Sequence, residues 1–92
     1  MLRITETYKD KKKVILKIEG KIGEPGIWDL ERLCSYYLHK TKKQVVLDMR
    51  GVTFIDRKSL TALEKFKDKR LEIVNCSPFI RSLLSNLIIY KD

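Results

Sequence analysis

The first twenty residues alternate apolar and polar positions on either side of a charged break. Leu2, Ile4 and Tyr8 share one face at period two, and Val14, Leu16 and Ile18 alternate with Ile15, Lys17 and Glu19. Between them Lys9-Asp10-Lys11-Lys12-Lys13 makes a solvated turn. The pattern predicts two strands in an antiparallel hairpin, the second punctuated at its end by Gly20 and Gly23.

Past Gly26 the spacing changes to three and four. Ile27, Leu30, Leu33, Cys34, Tyr37 and Leu38 form the stripe of an amphipathic helix ending near Lys40-Thr41. Val45-Val46-Leu47, closed by Asp48, reads as a strand covered on both faces, with Val52 to Ile55 as an apolar loop into Asp56. Leu60, Leu63 and Phe66 mark a second helix, closed by Lys67-Asp68-Lys69-Arg70, and Leu71, Ile73 and Val74 another strand. Ser77 is the natural N-cap of a third helix, with Pro78 in its first turn and Phe79, Ile80, Leu83, Leu84 and Leu87 as its stripe. Leu87 to Tyr90 would add a short last strand. The order β-β-α-β-α-β-α-(β) predicts an α/β domain in which helix-linked strands run parallel with right-handed crossovers beside one antiparallel edge.

Length and composition narrow what such a domain does. The 92 residues form one domain, 1–92, with no room for a second catalytic lobe or a large internal cofactor cavity. Twenty Lys+Arg against 12 Asp+Glu leave a net charge of +8, but 43% hydrophobic residues exclude a disordered basic tail. The apolar runs are far shorter than the ~20 residues that span a bilayer, and none follows Met1-Leu2-Arg3 as a signal peptide would, so a soluble cytoplasmic protein is expected. Cys34 and Cys76, with His39 as the one histidine, cannot build a zinc site of the usual spacing. Both cysteines read as structural, and no metal or cofactor is expected.

The stretch Val45-Val46-Leu47-Asp48-Met49-Arg50-Gly51-Val52-Thr53-Phe54-Ile55-Asp56, followed by Leu60, resembles the signature of the STAS domains, the sulfate-transporter and anti-sigma-factor-antagonist family. There a buried strand ends in Asp, a V-x-F-I/M-D stretch follows, and D-S-S-G-L or D-S-T-G-L opens the next helix. The early hairpin with Gly20 and the later Leu71-Glu72-Ile73-Val74-Asn75-Cys76-Ser77-Pro78 fall in the matching order, so the resemblance covers nearly the whole chain. It implies a STAS-like mixed sheet and a non-enzymatic protein-interaction module of bacterial signalling and transcriptional regulation, with an anti-sigma-factor-like kinase or another switch protein as partner. A second role within the family is the STAS subunit that supports the ATPase of a lipid-transport ABC complex.

The sequence departs from the family at the motif itself, where Arg57-Lys58-Ser59 stands for Ser-Ser-Gly. The family's second position carries the hydroxyl that a partner kinase phosphorylates; here it is Lys58, which cannot hold that phosphate as a stable ester. Ser59, in the place of the family's glycine and inside the first helical turn, reads first as a local hydrogen-bonder; a substitute phosphoacceptor is the lesser reading. Asp56 reads as an N-cap. Arg57 and Lys58 face the positive end of the helix dipole, so either both point to solvent, or Arg57 pairs with a nearby carboxylate, or the two present an anion-attracting tip to an acidic partner surface or a phosphate.

Trp28, Arg32, Tyr36 and His39 recur at three and four on the polar side of the first helix. Stacking of Trp28 and Tyr36 on Arg32 would make a binding hot spot, the alternative being a helix edge tucked against the hairpin. The lysine clusters Lys9–Lys13 and Lys40–Lys43 read as solvated loops. A basic nucleic-acid or membrane-surface binder is a further reading of them, but neither a recognisable nucleic-acid-binding module nor an aromatic platform is evident, so no specific nucleic acid is expected. Asp48 and Asp56 lack the His, Cys or metal cluster that would make them catalytic. The sequence leaves the oligomeric state open.

Overall fold

The computed structural model describes residues 1–66 and 68–85. Its elements are β1 (Leu2–Lys9), β2 (Lys13–Ile22), α1 (Gly26–Ser35) continued by a π-helical turn (Tyr36–Lys40), β3 (Gln44–Ile55), α2 (Arg57–Glu64), β4 (Leu71–Val74) and α3 (Pro78–Leu84). The four strands form one mixed sheet in the order β1-β2-β3-β4, with β1 antiparallel to β2 and the other pairs parallel. This is the architecture the pattern predicts; the proposed last strand, Leu87 to Tyr90, lies outside the described residues.

One face of the sheet carries Val14, Leu16, Ile18, Val45, Leu47, Leu71 and Ile73, all buried, because alternate residues of a strand share a face. The inward residues Ile27, Leu30 and Cys34 of α1, Ala62 and Leu63 of α2, and Ile80 and Leu84 of α3 pack into the same core. Val46, on the opposite face, is buried outside that core, but Gln44 and Arg50 beside it are exposed and Asp48 is only partly buried, so the helices cover β3 on one face and not on both as expected. Among the described residues no helix is long and apolar enough to cross a membrane.

Four local expectations change. Val52 to Ile55 is the end of a twelve-residue β3 rather than a loop, its ladder to β2 interrupted by register shifts near Gly51. Gly20 does not end β2: at φ +95° it lets the strand run on, and a Cβ there would lie 2.1 Å from the Met1 carbonyl oxygen. A register shift between Glu6 and Tyr8 turns Tyr8 outward, leaving it 47% exposed. Phe79 also faces outward and stacks on the exposed Phe54 ring, centroids 6.1 Å apart, with the Lys21 ammonium 5.6 Å from the Phe54 centroid.

Candidate functional site

The carboxyl ends of β2 and β3 lie side by side, Ile22 opposite Ile55, and the Asp56 N–H donates to the Ile22 carbonyl at 3.1 Å. That bond sets the turn into α1 against the start of α2, so Glu24 arrives beside Lys58. Asp56 caps α2 as its sequence position predicts, its carboxylate accepting from the Ser59 N–H at 2.8 Å. The Asp56 carboxyl is held below its ordinary value by the Ser59 hydroxyl that faces it and the Ser59 N–H, with help from the Lys21 and Lys58 cations. Gly23 is required here, since a Cβ would meet Asp56 Oδ2 at 2.9 Å.

Ser59 itself is fully buried, and among the described residues its hydroxyl is the one buried side-chain oxygen without a hydrogen-bond partner. The oxygen is close enough to the Asp56 carboxylate to favour its charge but falls short of hydrogen-bond geometry. A kinase reaching Ser59 would have to open the first turn of α2. The inward face of that helix is therefore Ser59, Ala62 and Leu63, with Leu60 only partly buried, a rotation of the stripe read from the sequence.

Arg57 and Lys58 both project to solvent. Lys58 Nζ lies 3.6 Å from Glu24 Oε1, while Glu24 Oε2 accepts from the Trp28 indole N–H at 3.1 Å. Arg57 makes no ion pair among the described residues. Trp28, Arg57 and Lys58, joined by Glu31, Thr61 and Lys65, line a groove of about 310 Å³ between α1 and α2. Glu24, Glu31, Thr61 and Lys65 are the polar residues here that sequence reasoning missed. The spacing of Lys58, Thr61 and Lys65, at three and four along one helix face, is the signal that could have found Lys65.

Arg32 and Tyr36 lie outside this groove, and the expected stack on Arg32 is not formed. Arg32 instead pairs with Asp29 one turn back, an interaction between two exposed groups. Tyr36 packs edge-on against Tyr37 at 5.3 Å and, through the π-helical turn, points to the opposite end of the sheet. Asp48 does not join Asp56: it accepts from the Arg50 N–H and the Asn75 amide, each at 3.1 Å. Among the described residues no group of His, Cys, Asp and Glu is arranged to hold a metal.

Comparison with family profiles and with curated proteins returns no match. Among solved structures the chain is similar to the anti-sigma factor antagonist SpoIIAA in its unphosphorylated form. The TM-score is 0.71 at 11% identity, over 98% of this chain and 88% of that one. With its antiparallel β1-β2 edge, parallel β2-β3-β4 and helices packed into one core, the chain has the STAS fold.

Proposed function

We propose that the chain is a non-enzymatic protein-interaction module of bacterial signalling that receives an acidic surface of its partner in the groove between α1 and α2. The observation that carries this reading is the convergence of Trp28 with Arg57, Lys58 and Lys65 on one groove. A 40% exposed tryptophan flanked by cations is the composition of an interface hot spot, and three cations against Glu31 and Glu24, the latter already engaged by Lys58 and Trp28, leave a net positive groove that selects a partner rich in carboxylates. Arg57, without an ion pair of its own among the described residues, can meet one. Likeness to an anti-sigma factor antagonist supports an anti-sigma-factor-like kinase or a related switch protein as the partner. Lys58 replaces a hydroxyl that could become negative with a permanent positive charge, so the module binds without a phosphate switch at that position.

Affinity purification of the full chain, followed by mass spectrometry of what it retains, tests the reading. Recovery of a kinase or sigma regulator, lost on Arg57→Glu with Lys58→Glu while circular dichroism is unchanged, supports it. Recovery of an ABC-type ATPase redirects the module to transport, and capture that survives the double charge reversal removes the groove as the interface. Lys58→Ser asks a second question: sensitivity of that variant to a partner kinase would mean that the surrounding surface still fits one.

A further inference from the structure

At the other end of the sheet the fold joins what the sequence keeps apart. Lys43 Nζ donates to the Asp10 carbonyl at 2.6 Å, and the Gln44 N–H donates to the Lys12 carbonyl at 2.8 Å. These bonds seat the loop before β3 against the β1-β2 turn. Lys9, Lys11, Lys12, Lys13, Lys40, Lys42 and Lys43 then form one pole of seven lysines. Between the two loops lies a groove of about 570 Å³ lined by Lys9, Lys11 and Lys43 with Tyr36, Tyr37 and Thr41, and Tyr36 is 52% exposed. Asp10 is the acid within it, already engaged by the Lys12 and Lys13 N–H groups and the Tyr8 hydroxyl, and Glu6 pairs with Lys9 at 3.4 Å, an exposed contact that a phosphate can displace.

We propose that this basic pole is a second binding site, independent of the α1-α2 groove, and that it takes single-stranded nucleic acid without sequence preference. Lysines along a groove track phosphates, and an exposed ring in the same groove supplies a stacking face that any base can use. The tertiary structure brings the Tyr36 ring, close to the second cluster in sequence, against lysines of the first as well. Lysine ammoniums are point charges with no bidentate reading of base edges, hence the absence of sequence preference. An anionic membrane fits less well, because the large apolar side chains exposed at this pole, Tyr8 and Tyr36, are tyrosines. The exposed Trp28, Phe54 and Phe79, which suit insertion among lipids, lie elsewhere on the surface.

Fluorescence anisotropy with a labelled oligothymidylate of about 12 nucleotides and the full chain tests the site. With the three groove lysines each meeting a phosphate, the log–log salt slope is about −2, a roughly twentyfold loss of affinity between about 50 and about 200 mM salt. Lys9→Glu with Lys11→Glu lowers that slope by about 0.7 per lysine. Tyr36→Ala weakens binding at least about fivefold, and Tyr36→Phe retains it. Should Tyr36→Ala not fold, Tyr36→Leu removes the stacking face while keeping an apolar contact to Tyr37. Arg57→Glu with Lys58→Glu leaves the affinity unchanged. Absence of binding at low salt, an affinity indifferent to loss of the Tyr36 ring, loss of binding in the Arg57/Lys58 variant, or equal Tyr36-independent binding to phosphatidylglycerol vesicles overturns the proposal.

Discussion

Replacing Ser59 with alanine should stabilise the protein. The Ser59 hydroxyl is removed from water entirely and has no hydrogen-bond partner among the described residues, which costs about 1–3 kcal/mol for a group of this kind. Alanine is also the better helix former, by about half a kcal/mol. Against these stands the attraction between the hydroxyl and the Asp56 carboxylate, which helps to hold that carboxyl below its ordinary value. Asp56 is half-exposed, so solvent screens the attraction, and the stronger contact, the Ser59 N–H at 2.8 Å, belongs to the backbone and survives the substitution. The balance favours Ser59→Ala by about 0.5–2 kcal/mol, and in a domain of this length each kcal/mol raises Tm by roughly 4–8 °C. Urea unfolding followed by circular dichroism at neutral pH measures it as a higher midpoint at unchanged slope. A loss of about half a kcal/mol or more would refute the reasoning, because it would mean that the hydroxyl is satisfied in solution, as a hydroxyl bonded to Asp56 would be.

Three further outcomes are expected. Asp56→Ala costs about 1 kcal/mol by removing the cap of α2, and Asp56→Asn, which can still cap, costs less. Since the folded carboxyl lies below its unfolded value of about 3.9, its contribution is complete above that value and disappears as pH falls through the folded one. Urea unfolding from neutral to acid pH should therefore show wild type and Asp56→Ala converging, and a constant gap would contradict the assignment. Leu47→Ala, at a fully buried position of a central strand, should cost about 2–5 kcal/mol, read in the same assay. Burial pushes the Cys34 thiol up to about 12, so in the native protein thiol reagents should modify Cys76 alone, and Cys34 should react only at the rate at which the chain unfolds.

Much of the molecule was legible from neighbours along the chain. Period-two alternation in the hairpin, the three-and-four spacing of α1, and the side chains of Asp56 and Ser77 that cap α2 and α3 all act within a few residues, so the sequence specifies them directly. The STAS order of strands and helices followed from those elements, because helix-linked parallel strands have few ways to connect. What lay beyond reach was every relation made across the sheet. The extension of β3 through Val52 to Ile55 depends on a partner strand that satisfies its backbone groups, and the outward turn of Tyr8 on a register shift against β2. Likewise Glu24 meets Lys58 only because β2 and β3 end together, and the two lysine clusters meet around Tyr36 only because those strands begin together. Local periodicity sets which face of an element is buried, and the parallel register of β2 with β3 decides which loops share an end. The net charge of +8 is a property of the sequence; its division between the α1-α2 groove and the lysine pole comes from the tertiary structure, because a strand carries the loops at its two ends to opposite edges of the sheet.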